Sequence, residues 1–387
     1  MRYCKVCLSN DLRPNASFNG DGVCIVCQHA NFGVSTSANQ QLRLEQLYAW
    51  IKELKARSGR KKFHPIYDCV VGVSGGKDST RQAHWVRDKL GLNPLLVCSA
   101  YPPSQMTQIG GNNLDNLISM GFDLEIVCPA PQSSAALSLR SLKQFGNVCK
   151  STEMALFANV PRVAIEKKIP FIFWGENPAT QVGDSAAMGE SVFDGNKLRE
   201  VNTLRDGGYK WIESYVTEQK SKFYVYPSEE AMKERGVSII YLGPAWDDWS
   251  EDENATYASL SGLELRPFDE SDTGDITGAC MLDEEFTNIN MMIKYYKFGF
   301  GRTTDTVNEQ IQLGILSRDD AIKLVEKYDG VCSDRIIHRY CDYVGIEPNE
   351  FWQIVNRFVN LSLFEIGSGS DRPRRKFTVG VDYDQYC

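Results

Sequence analysis

Residues 74–79, with the sequence Ser-Gly-Gly-Lys-Asp-Ser, directly follow an apolar run at residues 67–73. The apolar run predicts a buried parallel strand, and the helical spacing of apolar residues after Ser79 predicts a helix. At such a turn the free backbone N–H groups point at one shared anion site. Gly75 and Gly76 let the backbone approach a ligand closely because they lack a Cβ atom. The segment therefore predicts a phosphate-binding turn.

The side chains of this turn could complete a nucleotide site. Ser74 and Ser79 carry hydroxyl donors, and Lys77 could neutralise phosphate charge. Asp78 carries a carboxylate that could hold Mg²⁺ against the same phosphates. A glycine-rich turn that binds nothing is the alternative, and the strand and helix predicted on either side disfavour it.

The glycine spacing separates this turn from the usual phosphate loop, which requires Gly-x-x-x-x-Gly-Lys followed by Ser or Thr. Gly72 lies one residue too close to Gly76, and Asp78 follows Lys77. Transfer of a γ-phosphoryl group is therefore disfavoured. The segment instead resembles the PP-loop, Ser-Gly-Gly-x-Asp-Ser, of the ATP pyrophosphatase superfamily. That resemblance implies a loop that holds the β,γ-pyrophosphate of ATP, so that an oxygen attacks the α-phosphorus and pyrophosphate leaves.

Four cysteines near the N-terminus have the spacing of a metal site. Cys4 and Cys7 form one Cys-x-x-Cys pair, Cys24 and Cys27 form a second, and sixteen residues separate the pairs. Two such pairs close a tetrahedral shell of four thiolates, the standard arrangement for zinc. A redox pair is the alternative, but two pairs in a short, turn-rich segment favour a metal. Four thiolates leave no open coordination position, so we expect the zinc to be structural.

The composition of the 387 residues limits the class of protein. Apolar residues make up 42% and charged residues 24%, as in soluble globular proteins. The net charge of −8 argues against a protein whose main task is to bind a nucleic-acid backbone. No apolar run approaches the roughly 18 residues of a membrane span, and Met1 leads straight into the cysteine pairs without room for a signal peptide. We expect a cytoplasmic protein that binds neither membranes nor nucleic acid.

Strands and helices alternate after residue 67, which predicts a parallel sheet with helices on both faces. Predicted strands cover residues 67–73, 95–100, 124–127, 170–174 and 237–242. Predicted helices cover residues 79–90, 112–120 and 152–168, and an amphipathic linker helix precedes the sheet at residues 40–62. Ligands of such sheets collect at the carboxyl ends of the strands, so functional residues are expected there.

Polar and aromatic residues follow two of the predicted strands. Glu176 and Asn177 come directly after the fourth strand, where a carboxylate and an amide favour a site over a solvated turn. Two tryptophans within residues 243–249 follow the fifth strand and either line a pocket or pack a domain junction.

The last third of the chain reads as mainly helical. Predicted helices cover residues 286–296, 318–328, 333–343 and 348–361. Arg302 and Thr303 follow a glycine-rich segment at residues 297–301, which suits a loop where a guanidinium meets phosphate or carboxylate. A helix-to-helix turn with a surface arginine is equally compatible with the spacing. Residues 368–387 look loosely structured.

Together these blocks resemble one family. The cysteine pairs, the PP-loop, Trp-Gly-Glu-Asn at residues 174–177, Tyr-Leu-Gly at 241–243 and Phe-Gly-Phe-Gly-Arg-Thr at 298–303 resemble the N-acetyl sugar amidotransferases. That family includes the O-antigen and the pseudaminic- or legionaminic-acid amidotransferases of bacteria. The predicted organisation is a zinc-binding module (1–35), a linker helix (36–66), a PP-loop ATP-binding domain (67–282), a helical C-terminal region (283–366) and a tail (367–387).

The resemblance implies an α/β fold of the adenine-nucleotide α-hydrolase type and an ATP-dependent reaction. The acetamido oxygen of a nucleotide-linked sugar is adenylylated, and ammonia then displaces AMP to leave an acetamidino group. The implied pyrophosphate ligands are Ser74, Gly75, Gly76 and Ser79. Asp78 would bind Mg²⁺, and Glu176, Asn177 and Arg302 would orient ATP or sugar. Lys77 fills the variable position of the motif.

The ammonia must come from another protein. A triad-type glutaminase needs a nucleophilic cysteine and a His-x-Glu pair, but Asn, Ile, Val and Tyr stand two residues after the four histidines. The other glutaminase type needs cysteine directly after the initiator methionine, where this chain has Arg2. The resemblance implies a separate glutaminase and a cyclase-like partner, similar to the pair used in histidine biosynthesis.

A tRNA thiolase of the PP-loop superfamily is the alternative function. Such enzymes also pair cysteine knuckles with a PP-loop, and they usually add a catalytic cysteine pair or an iron–sulfur site and a basic tRNA surface. No Cys-x-x-Cys follows Cys27 and the chain is acidic, which disfavours this alternative. A non-catalytic scaffold around the zinc module is disfavoured by the intact loop motif.

Overall fold

The computed structural model describes residues 1–14, 16–30, 37–57, 66–175, 189–200, 210–246, 249–267, 270–367 and 372–384. No helix within these ranges is long and apolar enough to cross a membrane.

The N-terminal segment forms a small module around its four cysteines and ends in helix α1 (Ile25–Ala30). Helix α2 (Ser37–Arg57) follows. It buries one apolar side against the sheet domain, as its spacing predicted, through Leu47, Trp50, Ile51 and Leu54. The end of the predicted helix, residues 58–62, lies outside the described residues.

A five-stranded parallel sheet forms the centre of the protein, which confirms the predicted fold class. Its strands are β1 (Cys69–Val73), β2 (Pro94–Ser99), β3 (Asp123–Val127), β4 (Phe171–Trp174) and β5 (Ser238–Tyr241). All five predicted strands are present with bounds shifted by one or two residues. The strand order is β3-β2-β1-β4-β5, so the winding direction reverses between β1 and β4. Open α/β sheets bind ligands beside the carboxyl ends of the strands at such a reversal.

Helices cover both faces of the sheet, so the side chains that point to either face are apolar. One face packs against α2 and the two helices that follow β1 and β2, through Val71, Leu96, Phe173 and Ile240. The opposite face packs against the helix that precedes β4, through Val70, Val97, Ile172 and Ile239. This burial on both faces explains why β1, β2, β4 and β5 are nearly continuous apolar runs, whereas the edge strand β3 is partly exposed and contains Asp123 and Glu125.

The helices of this part of the chain are α3 (Lys77–Asp88), α4 (Gln108–Ser119), α5 (Pro131–Phe145), α6 (Lys150–Lys167), α7 (Glu218–Ser221), α8 (Glu229–Arg235), α9 (Glu251–Leu260) and α10 (Glu270–Thr273). The helices α5, α7, α8, α9 and α10 were not predicted. In α5 four serines are buried, and Ser138 donates to the Val148 carbonyl at 2.8 Å. Serine is a modest helix former, so the composition concealed this helix. Helix α9 packs against α3.

The C-terminal region consists of α11 (Phe286–Phe298), α12 (Arg302–Gln312), α13 (Arg318–Tyr328), α14 (Asp334–Val344) and α15 (Pro348–Val355), with a short antiparallel pair β6 (Phe364–Glu365) and β7 (Arg374–Arg375). The predicted loop around Arg302 is corrected, because Arg302 begins a helix and only residues 299–301 form the turn. The predicted helix over 348–361 is also too long, since α15 ends at Val355 and a 3₁₀ turn follows.

Residues 372–384 of the C-terminal tail pack into the core, contrary to the expectation of loose structure for residues 368–387. Phe377 and Val379 are buried among the helices of the C-terminal region. The backbone carbonyl of Tyr383 accepts a 2.7 Å hydrogen bond from the Met1 amino group. The tail therefore joins the N-terminal module to the C-terminal core.

Candidate active site

The predicted phosphate-binding turn joins β1 to α3 at the reversal point of the sheet. Gly75 has φ +83°, and a Cβ atom there would lie 3.1 Å from the Gly110 carbonyl oxygen. Only glycine fits this conformation and this space without strain. Gly76 is the N-cap of α3, and its position carries no side-chain cap. The N–H groups of the first turn of α3 are therefore available to an anion.

The serines brace the turn. Ser79 Oγ donates to the Gly76 carbonyl at 3.2 Å and accepts from the Ser74 N–H at 3.4 Å. The Ser79 hydroxyl thus connects both ends of the turn, Ser74 and Gly76, by hydrogen bonds.

Lys77 is a buried cation beneath the turn. It is 8% exposed, and its Nζ lies 3.2 Å from Asp78 Oδ2 and 3.6 Å from Glu251 Oε1. Burial alone would lower the pKa of Lys77, but the neighbouring carboxylates, Asp78 first, raise it above its ordinary value. The lysine therefore stays charged and adds positive potential below the phosphate site.

Asp78 is held from α9. Asn254 Nδ2 donates to Asp78 Oδ1 at 2.6 Å, and Arg81 donates to the Asn254 oxygen at 2.7 Å. Because α9 packs on α3, this buried amide fixes the carboxylate while leaving its side chain about one-third exposed. Asp78 is thus oriented and still accessible to a cation.

Glu251, at the start of α9, links the turn to the C-terminal region. Its Oε1 contacts Lys77 and the Cys280 thiol, and its Oε2 accepts from Thr306 Oγ1 at 3.2 Å. Its backbone N–H donates to Glu309 Oε2 at 3.1 Å. Sequence reasoning missed Glu251 and its neighbours, although the Ser-Glu-Asp-Glu start of α9 is a recognisable helix N-terminus.

Arg302 contributes donors without acceptors to this cluster. Its Nε and Nη2 are buried and have no hydrogen-bond partner within the described residues. Burial would lower the pKa of Arg302, but the negative charges of the nearby carboxylates Glu251 and Asp275 raise it. Buried, unpaired donors cost free energy, so a guanidinium in this state is prepared for an anionic ligand.

Thr303 has a different environment. It is fully buried, and its hydroxyl donates to the Gly274 carbonyl at 2.8 Å. Of the two predicted ligands on α12, Arg302 is therefore the one with free donors.

Three acidic groups near this cluster have pKa values raised by burial. The Cys280 thiol has a pKa above its ordinary range even though Arg302 and Lys77 oppose the effect of burial. The pKa of Glu309 is raised to about 7, by burial and then by the charge of Glu251. The pKa of Asp283 is also raised to about 7, by burial and then by Glu284. A thiol kept protonated in this way is a poor nucleophile.

The predicted site residues after β4 are not described. Glu176 and Asn177 lie outside the described residues. Trp246 and Trp249, after β5, stack on each other with ring centroids 4.5 Å apart, and Trp249 lies against Gly175 at the end of β4. Trp246 is 5% exposed and packs on the sheet, so packing is its role here.

The four predicted metal ligands do come together. The sulfur atoms of Cys4, Cys7, Cys24 and Cys27 all lie within 4.8 Å of one another and are buried. Backbone N–H groups point at them, including Cys24 N at 3.3 Å from Cys4 Sγ. The Cys7 and Cys24 sulfurs are 3.7 Å apart, close to the edge of about 3.8 Å in a tetrahedron with metal–sulfur bonds of about 2.3 Å. The cluster fits a zinc ion or an iron–sulfur centre.

Comparison with known proteins identifies the C-terminal region. Residues 282–371 match the family described as "LPS biosynthesis protein WbpG-like, C-terminal domain". Over these residues the chain is similar to the C-terminal domain of WbpG-like LPS biosynthesis proteins. The predicted family resemblance is confirmed. The WbpG-like domain supplies Arg302, Thr306 and Glu309, whereas the turn comes from the sheet domain.

No curated protein matches the chain. A similar solved structure is the U34-tRNA thiolase NcsA from Methanococcus maripaludis with its [4Fe-4S] cluster, at 16% identity and a TM-score of 0.30. The match covers 77% of this chain and 89% of that chain. A likeness of this size carries no argument about activity or metal.

Proposed function

We propose that this protein is an ATP-dependent amidotransferase that converts an acetamido group of a nucleotide-linked sugar to an acetamidino group in O-antigen biosynthesis. The observation that carries the proposal is the position of the Ser-Gly-Gly-Lys-Asp-Ser turn. It lies at the carboxyl end of the central strand, with free helix N–H groups and a buried lysine below. The WbpG-like domain contributes Thr306, which bonds Glu251 beside this turn, and the match to this domain supports the sugar substrate.

The turn would bind the outer phosphates of ATP. Backbone N–H groups of Gly75, Gly76 and the start of α3 would donate to pyrophosphate oxygens, and Lys77 would offset their charge. Asp78 would hold Mg²⁺, which neutralises charge on the leaving pyrophosphate. Arg302 has unpaired donors and would contact the phosphates or an anionic group of the sugar.

The reaction has two balanced steps. The acetamido oxygen attacks the α-phosphorus and pyrophosphate leaves, which gives an O-adenylyl imidate. Ammonia then adds to the imidate carbon, and AMP leaves with the former amide oxygen. The amide oxygen is a very poor leaving group until adenylylation, so both steps need a site that binds ATP in this orientation. Cationic groups near the phosphates stabilise the charge that develops on pyrophosphate.

An external source of ammonia is part of the proposal. The cysteine beside the turn, Cys280, is buried and has a raised pKa, unlike the activated nucleophile of a glutaminase. A separate glutaminase with a cyclase-like partner would supply the ammonia. We propose that the four-cysteine cluster holds structural zinc, because four thiolates fill its coordination shell.

The test is a reaction of the full chain with ATP, Mg²⁺, ammonium and a series of UDP- and CMP-linked acetamido sugars. We expect AMP, pyrophosphate and a sugar product about one mass unit lighter, since NH replaces O. ADP and orthophosphate would contradict the proposal. Iron in the purified protein, together with bound RNA and no reaction of any sugar, would favour the thiolase alternative.

A further inference from the structure

Helix α12 lies between the four-cysteine module and the candidate ATP site. Asp305, Asn308 and Gln312 fall on one face of the helix by their spacing, and each contacts the module. Asp305 pairs with Arg13, and Asn308 Oδ1 accepts from the Leu8 N–H at 2.7 Å. Gln312 Nε2 lies 3.6 Å from Cys27 Sγ. The position of this face of α12 therefore depends on the position of the module.

A neighbouring face of the same helix contacts the candidate active site. Arg302, Thr306 and Glu309 have the spacing of one face, about a quarter turn from the first at 3.6 residues per turn. Thr306 donates to Glu251, and Glu309 accepts from the Glu251 N–H. Glu251 contacts Lys77 of the turn. One helix thus joins the module to the phosphate-binding turn.

Asp305 is the residue through which the module can act on Arg302. It lies one turn after Arg302 and attracts its charge. Both of its oxygens are already engaged, Oδ1 by Arg13 and Oδ2 by Lys294 at 2.5 Å. Without Arg13, the Asp305 carboxylate would offer a free acceptor oxygen one helical turn from the unpaired Arg302 donors, since residues three apart face each other on a helix.

We propose that Arg13 of the four-cysteine module pairs with the Asp305 carboxylate and thereby keeps the Arg302 guanidinium directed at the nucleotide. Asp305 and Arg13 are positioning residues, and the inference rests on the proposed ATP site. Arg13 lies between the two cysteine pairs, so its place depends on closure of both pairs around the metal. Metal binding and ATP binding are then coupled, and each must strengthen the other by the same factor.

The fold of α12 does not depend on this contact. Asp329 caps the helix by accepting from the Gly301 N–H at 2.8 Å and from the Thr304 hydroxyl at 2.6 Å. Loss of Arg13 therefore leaves the helix formed and changes the partner of Asp305. A variant at Arg13 therefore tests the position of the Arg302 side chain and not the folding of α12.

The experiment is a double-mutant cycle on ATP affinity in the full chain, with Arg13→Gln and Arg302→Gln alone and combined. We expect each single change to weaken binding of ATP with Mg²⁺ about ten-fold, the size of one charge-assisted hydrogen bond. Arg13→Gln should add nothing in the Arg302→Gln background. Arg13→Lys, which keeps the charge, should restore most of the affinity.

Arg2→Gln is the matched control. Arg2 pairs with Asp11 inside the module, its side chain is 79% exposed, and the pair does not involve α12. It should leave ATP affinity unchanged, and metal content should be the same in all variants. Additive losses, or an equal loss in Arg2→Gln, would overturn the inference while leaving the ATP site intact. A wild-type chain that binds no ATP would overturn both the inference and the proposed function.

A second readout is the rate at which the protein releases its bound metal. In the wild type, ATP should slow transfer of the bound metal to a chelator, and in Arg302→Gln it should not. A metal release rate that ATP changes equally in both proteins would show that the coupling does not pass through Arg302.

Discussion

The Nζ atom of Lys77 lies 3.6 Å from Oε1 of Glu251, a carboxylate that comes from a different helix 174 residues further along the chain. The same carboxylate bonds Thr306 of the WbpG-like domain. The charge below the phosphate turn is therefore set by an element outside the motif. The two domains share one electrostatic site, and neither can shift without disturbing Lys77.

Glu251→Gln should reduce the rate of AMP formation by at least about ten-fold. The amide can still accept from Thr306, but Lys77 loses one of its two carboxylate partners, and unpairing buried charges is costly. Steady-state kinetics with ATP would measure the effect. Glu253→Gln, in the same turn of α9 and exposed, should leave the rate unchanged, and equal losses in the two variants would refute the role of Glu251.

Gly75→Ala should abolish ATP binding, whereas Gly91→Ala should not. Both glycines have positive φ, so each change should cost about 1–2 kcal/mol of unfolding free energy. Only at position 75 would the new Cβ also meet the Gly110 carbonyl, at 3.1 Å, while position 91 faces open space. Denaturant unfolding and ATP titration of both variants separate backbone strain from loss of the site. Normal ATP affinity in Gly75→Ala would show that the turn does not approach the phosphates.

The strands and the phosphate turn could be predicted from the sequence because their determinants are local. The strands β1, β2, β4 and β5 are buried apolar runs, and the turn is a single contiguous motif. Asn254 and Glu251 could not be predicted as partners of the turn. Asn254 lies 176 residues after Asp78, and only the packing of α9 on α3 brings them together.

The first residues of helix α12 were wrongly predicted as a loop, and the reason for this error is different. Its first turns contain Thr303, Thr304 and Thr306, which are weak helix formers, and glycines precede it. The structure stabilises it through tertiary contacts, since Asp329 caps its N-terminus and all three threonines are buried. Local propensity therefore gave the wrong element at a predicted site residue. Two nitrogens of Arg302 are unpaired, and its role as a ligand of phosphate or sugar stays a prediction.

Ionisation of Glu309 should lower the free energy of unfolding as pH rises from about 5 to 8. Its pKa is raised in the folded state to about 7, so the folded state binds its proton more tightly than the unfolded chain does. Its contribution to stability is thus fully present below its unfolded pKa and is lost as pH rises through 7. Comparing the wild type with Glu309→Gln by denaturant unfolding at pH 5 and pH 8 isolates it from Asp283, which titrates in the same range. We expect the variant to gain about 1–3 kcal/mol relative to the wild type between these pH values, and no relative change would contradict the shifted pKa.

Asp78→Asn should stop AMP formation without unfolding the protein. The amide oxygen can still accept from Asn254, but the charge that would hold Mg²⁺ is lost. We expect at least about a hundred-fold loss of rate, as when a main stabilising group of a transition state is removed, and an unchanged unfolding midpoint. Asp88→Asn, at the far end of α3 beside Arg87, is the matched control. Full turnover in Asp78→Asn would show that another residue binds the cation.

Removal of the metal should destabilise the C-terminal region as well as the N-terminal module. Leu8, next to Cys7, is fully buried in the C-terminal core, and its N–H bonds Asn308. Cys24→Ser should therefore lose the metal and lower the thermal midpoint by several degrees. Cys128→Ser, at an exposed single cysteine, should change neither metal content nor midpoint. Elemental analysis of the wild type should give one zinc per chain, and iron with visible absorption would instead identify an iron–sulfur centre.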